Sequence, residues 1–167
     1  MKISALILTF LSLATSVASQ MTAEKHIKLF HELWEPVSKG NFAVKNLNLD
    51  MFADDVIYRS PVGGLPDLVG KEALVKFFKE WEAALISNRC EIRSVFVQQD
   101  GILHAFMSAA SVAHNADKSG TCTTFVDSLV RQELNEDGKI KLVEFYHDVH
   151  GTGIFECMAS TAESPEE

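Results

Sequence analysis

A chain of 167 residues, 47% hydrophobic and 23% charged, is long enough to bury a real core and too short for two such domains. Its 15 Lys and Arg stand against 23 Asp and Glu, a formal net charge of −8 with no basic cluster to offset it, which argues against nucleic acid as a partner. Three cysteines, Cys90, Cys122 and Cys157, are too few for a disulfide-framework miniprotein, and their spacing does not reveal which of them pair.

In chain order, residues 1–18 read as a secretory signal peptide: Lys2, the apolar run Ile3 to Leu13, then small residues up to a cut after Ala18. About eleven apolar residues fall short of the roughly 20 that span a bilayer, and no second run follows, so a secreted, extracellular protein with no membrane partner is expected. From Thr22, a candidate N-cap, the positions Ile27, Phe30, Leu33, Trp34 and Val37 recur at helical steps, closed by Pro36 to Gly40. A second, shorter helix is expected over 42–52, then a short strand at Val56 to Tyr58, stopped by Ser60-Pro61 and Gly63-Gly64.

Gly70 opens a third helix with one apolar stripe, Leu74, Phe77, Phe78, Trp81 and Leu85, whose regular spacing reads as core. Extended periodicity then takes over: Ile92 to Gln99, a turn at Asp100-Gly101, Ile102 to Asn115, a polar loop, Thr121 to Leu134, a turn over 135–138, and Lys139 to His150. The sum is an α+β fold, a curved antiparallel sheet wrapped over three N-terminal helices to make a cone across residues 19–150. Residues 151–167, ending Glu163-Ser164-Pro165-Glu166-Glu167, read as a flexible acidic tail.

The run from Leu49 to Gly63, with Phe52-Ala53-Asp54-Asp55 before a strand and Pro61-Val62-Gly63 after it, resembles the start of SnoaL-like and ketosteroid-isomerase-like chains. Leu68-Val69-Gly70-Lys71-Glu72-Ala73-Leu74 and Glu136-Asp137-Gly138-Lys139-Ile140 continue that resemblance over nearly the whole mature chain. It implies the nuclear transport factor two-like superfamily, a fold that hosts isomerases, cyclases, hydrolases and plain binding or assembly modules, often as homodimers. The isomerase roles are vacant here. The base position falls on Ser60, the proton-donating aspartate on Val130, and the helical tyrosine near Phe30, Leu33 or Trp34.

With a four-residue loop at 135–138, partner numbers in the last hairpin sum to 273, setting Val130 opposite Val143 and Ser128 opposite Phe145. One face then carries Val126, Ser128, Val130, Gln132, Val143, Phe145, His147 and Val149, a mostly apolar wall that the resemblance turns toward a cavity. His147 is the candidate acid or base on it, because imidazole works near neutral pH; the alternative is a satisfied core histidine. Trp34, Tyr58, Ser60, Ser128, Val130, Gln132 and Phe145 are the candidate ligand contacts, although a turn-start serine also caps its own backbone.

The opposite face carries Asp127 and Asp148, a carboxylate pair of the kind that shares a proton. Epoxide hydrolases of this fold pair aspartates with an Arg-x-Asp arginine, a position held here by Phe125, and a one-residue bulge would exchange the two faces. Glu144, His147 and His150 do not converge on an extended strand, so no metal is expected, and no cofactor motif is present. The expected function is a secreted pocket protein for a small apolar organic molecule, with proton transfer of the isomerase or cyclase type. The alternatives are a non-catalytic binding or dimerisation module, and a hydrolase using Asp127 and Asp148.

Overall fold

The computed structural model describes residues 23–40, 42–60, 66–115 and 117–148. The signal peptide, the N-cap Thr22, the Pro61-Val62-Gly63 turn, Val149 and the acidic tail lie outside the described residues.

The first helix, α1, covers residues 23–38 and buries Phe30, Leu33, Trp34 and Val37, as its spacing predicts, together with His26. It runs through Pro36 instead of stopping there, and Gly40, at φ 69°, ends the segment. The helix expected over 42–52 does not form. Residues 42–52 hold two single 3-10 turns, Val44–Asn46 and Leu49–Met51, each too short to need a continuous apolar stripe. Asn48 caps the second turn by accepting from the Asp50 N–H, which competes with helix continuation, and Glu82 accepts from the Val44 N–H.

Strand β1 (Phe52–Arg59) starts four residues earlier than its β-branched centre predicts. A two-residue strand, β2 (Leu68–Val69), pairs antiparallel with it and was not legible in the periodicity. Helix α2 (Lys71–Ala84) starts at Gly70, whose φ of 91° is open to glycine and whose N–H bonds Val56 C=O at 2.8 Å. The helix buries Leu74 and Phe78 but stops short of Leu85, which instead opens β3 (Leu85–Val97) without a loop. Then β4 (Leu103–His114), β5 (Thr121–Leu134) and β6 (Ile140–His147) complete one six-stranded sheet in the order β2-β1-β6-β5-β4-β3. Every pairing is antiparallel except β1 with β6, which is parallel.

The last hairpin corrects the expected register. Partner numbers sum to 275 along most of β5 and β6, so Ser128 faces His147 and Val130 faces Phe145. Two one-residue steps produce this. Gly138, at φ 74°, closes a three-residue loop in which Asn135 N–H bonds Lys139 C=O at 2.8 Å. The ladder then slips once more between Leu134 paired with Ile140 and Glu133 paired with Leu142, leaving Lys141 as the extra residue. Two odd shifts cancel in parity, so each side chain keeps the face its alternation assigns.

The core lies between the concave sheet face and the two helices, with Phe30, Leu74, Val56, Leu103, Val130 and Val143 all at 0–1% exposure. Each such side chain contributes about 1.5–3 kcal/mol by leaving water. On the outer face Glu144 is cross-strand neighbour to both Arg59 and Arg131 and pairs with them at 3.2 and 3.1 Å. Desolvation pushes its carboxyl up, but bonds from Tyr146, Arg131 and Arg59 outweigh that and hold it below the usual carboxylate value. Among the described residues no helix is long and apolar enough to cross a membrane.

Candidate ligand cavity

A cavity of about 70 Å³ lies between α1, α2 and the concave face. The helices supply Trp34 and Val37 from α1 and Phe77 and Trp81 from α2; the sheet supplies Tyr58, Asn88, Cys90, Met107, Ala109, Ser111, Thr124, Val126, Ser128, Phe145 and His147. Parity explains the sheet contribution: Met107, Ala109 and Ser111 alternate on β4, and Thr124, Val126 and Ser128 on β5, in a continuous register with Met107 opposite Ser128.

The aromatic wall is one contact chain. Trp34 stands edge-on to Phe145 at 5.3 Å, Tyr58 meets Phe145 at 5.6 Å, and Phe145 stacks on His147 at 5.6 Å with 22° between the rings. Polar groups interrupt it in pairs. Ser111 Oγ donates to Asn88 Oδ1 at 2.9 Å, and Ser128 Oγ lies 2.7 Å from His147 Nδ1. The indole N–H groups of Trp34 and Trp81 are buried without a hydrogen-bond partner among the described residues.

The titratable groups on this wall are all shifted toward their neutral forms. Burial holds His147 below its ordinary 6.5, opposed by the nearby Asp148 charge. Burial pushes the Cys90 thiol up to about 11, helped by Glu91, and raises the Tyr58 phenol as well. Cys90 is a free thiol, whereas Cys122 is disulfide-bonded.

Of the sequence candidates, Trp34, Tyr58, Ser128, Phe145 and His147 line the cavity. Ser60, Val130 and Gln132 do not: they are 1%, 0% and 0% exposed but lie in the surrounding core, with both amide atoms of Gln132 unpartnered among the described residues. Asp127 and Asp148 are exposed on the outer face, a correction to any reading that aims them at a ligand inside. The Asp148 N–H bonds the Asp127 C=O at 3.0 Å, extending the ladder, and the Asp127 carboxylate accepts from Ser108 Oγ and lies 3.8 Å from Arg93. The parity that turns Ser128 and His147 inward turns both carboxylates outward.

Sequence reasoning missed the contributions of β3 and β4. Extending the β5 parity one strand further would have found Met107 and Ser111, but Phe77 and Trp81 sit on a stripe that periodicity cannot tell from core.

A curved, unclosed sheet bent over two helices around an aromatic hollow defines the cone-shaped α+β class. The model of the SnoaL-like domain matches residues 30–143, and the chain belongs to that family. No curated protein matches the chain in sequence. Among solved structures it is similar to a putative SnoaL-like polyketide cyclase from Shewanella denitrificans, with a TM-score of 0.64 and 6% identity over 78% of this chain and 96% of that one. It is also similar to SalBIII, an epoxide hydrolase/cyclase-like enzyme in pyran ring formation in salinomycin, at 0.62 and 17% over 77% and 94%. A ketosteroid isomerase-like protein from Erwinia carotovora atroseptica gives 0.54 and 14% over 72% and 92%. At these identities the likeness establishes the fold alone.

Proposed function

We propose that the protein binds a small, mainly apolar organic molecule in this cavity and moves a proton on it, with His147 as the acid–base group and Ser128 as its hydrogen-bond partner. The observation that carries the reading is the 2.7 Å contact of Ser128 Oγ with His147 Nδ1 on the wall of an aromatic cavity. A neutral imidazole is the form that accepts a proton from a carbon acid, and burial favours that form at neutral pH. Ser128 holds the ring by one nitrogen and Phe145 by one face, so the base is oriented before a ligand arrives. The isomerisation or cyclisation named for related proteins fits this chemistry. The ketosteroid isomerase set itself is replaced at each position, with Val130 in the core and Ser60 outside the cavity.

Acetophenone, whose methyl protons exchange through an enolate, is a direct probe. In D₂O the protein should speed deuterium incorporation, read by NMR, and His147→Gln should lower that acceleration about a hundredfold or more. A rate equal to buffer, or one untouched by the substitution, would overturn the proton-transfer reading. Activity should fall as pH drops through the depressed His147 value, because the protonated ring cannot act as base.

Secretion through residues 1–18 belongs to the same proposal, as does a homodimer. The specific support for the dimer is the outer sheet face, where Phe106, Leu129 and Tyr146 are successive cross-strand neighbours and Phe106 and Tyr146 are 49% and 41% exposed. Light scattering of the mature chain should give twice the monomer mass.

A further inference from the structure

We infer that Cys122 is bonded to Cys157 and that residues 149–157 are thereby strapped over the β5 end of the cavity, with Ile154 and Phe155 as its apolar cover. The inference goes beyond the proposed function and does not depend on it.

The sequence has three cysteines. Cys90 is a free thiol and Cys122 is disulfide-bonded, which leaves Cys157 as the partner. Such a bond persists in oxidising surroundings, which export would supply.

The side on which Cys157 is held follows from β5. That strand pairs with β4 in unbroken register from Thr121 to Gln132, so its side chains alternate strictly. Thr124, Val126 and Ser128 line the cavity, and Cys122 is the next residue of that parity, about 7 Å further along the strand. Bridged cysteines have Cβ atoms about 3.8 Å apart and Cα atoms about 5.5–6 Å apart, so the partner lies on the side to which the side chain points. Cys157 is therefore held on the concave face, at the rim of the cavity.

Chain length decides the path. β6 pairs with β5 from Ser128 to Leu134, and the Asp148 N–H donates to the Asp127 C=O at 3.0 Å. Among the described residues no strand pairs with Thr121–Val126 on that side, so the edge of β5 lies open along the course of the chain leaving Asp148. Five residues separate Asp127 from Cys122, about 17 Å of strand, whereas the nine from Asp148 to Cys157 reach about 30 Å. A straight continuation of β6 would overshoot Cys122 by four residues, so the surplus arches away from the edge toward the concave face on which the disulfide fixes it. Gly151 and Gly153 admit the bend, and Ile154 and Phe155 bring apolar surface to a rim lined by Val126, Phe145 and His147. The cover stands between solvent and the Ser128–His147 pair.

The pairing is tested by alkylating free thiols with iodoacetamide in denaturant, digesting the unreduced protein and mapping its peptides by mass spectrometry. The expected result is one cross-linked pair joining Cys122 to Cys157, with the label on Cys90 alone. A label on Cys157, or a covalent dimer on a non-reducing gel, would overturn the pairing. NMR titration of the histidines tests the cover. Ile154→Ser combined with Phe155→Ser keeps the disulfide and should move the His147 pKa up toward 6.5 while leaving His26 unmoved. His26 is the control because it meets Gly101, at the far end of β4 from Ala113, the partner of Cys122. An unmoved His147 would overturn the cover, and so would an equal rise in both histidines, which marks a loosened fold. In the wild-type protein, amide hydrogen exchange at Ile154 and Phe155 should be about tenfold or more slower than in an unstructured chain. Exchange at the unstructured rate would overturn the cover even where the double variant does not fold.

Discussion

Burial lowers the proton affinity of both His26 and His147. His26 is 1% exposed on α1, with Nδ1 3.2 Å from the Gly101 carbonyl oxygen and Nε2 unpartnered among the described residues. That carbonyl pulls the pKa back up, but less than burial pushes it down. Because the folded values lie below the ordinary 6.5, the unfolded chain binds more protons in the window between them. Stability is therefore present in full above about pH 6.5 and is lost as pH falls toward the folded values, by at most about 1.4 kcal/mol per pH unit for each histidine. Thermal melts from pH 8 to pH 5 should show this decline, and His26→Gln should flatten it. A melting temperature that does not change over that range would contradict the buried neutral state.

At the scale of elements, the β5–β6 hairpin carries the hydrogen-bonded Ser128–His147 pair and two of the aromatic contacts, and its register is set by the turn and the bulge. Gly138 is the sensitive point, since its φ of 74° lies in the left-handed region. A Cβ there would meet Lys25 Nζ at 2.8 Å, the movable end of a flexible side chain, so the strain of Gly138→Ala comes from the backbone. The substitution should destabilise the protein by about 1–2 kcal/mol in urea titration, and Gly138→Asn by less. If the loop instead changed length by one residue while β5 kept its register with β4, β6 alone would turn over, and His147 would leave the face that Ser128 occupies. Antiparallel pairing at this position therefore decides which chemistry the cavity holds.

Across the described residues, one sheet face is covered by α1 and α2, and no helix packs on the other. The open face carries the ionic cluster around Glu144 and exposed aromatics that include Phe96, Phe106 and Phe125, the last at 73% exposure. Aromatic rings left in water on this outer sheet face favour a second copy as cover, and the charged cluster beside them contains both signs. Phe106→Glu should convert a dimer to a monomer in light scattering while shifting stability by no more than about 0.5 kcal/mol. A dimer that survives this change would place the contact elsewhere.

Much of the fold was legible because its signals are local. The stripe Phe30, Leu33, Trp34, Val37 announces α1 at a period near 3.6, the alternation from Thr121 to Leu134 announces β5 with its bounds, and Gly101 and Gly138 mark turns. Alternation alone also assigned Ser128 and His147 to one face and Asp127 and Asp148 to the other. What folding decided is long-range: that Ser128 meets His147 and not Phe145, that β3 and β4 complete the wall, and that no charged Asp, Glu, Lys or Arg side chain among the described residues lines the hollow. A sequence carries the period of each strand in neighbouring residues, whereas register, cavity volume and the protonation of a buried ring depend on atoms brought together from distant parts of the chain.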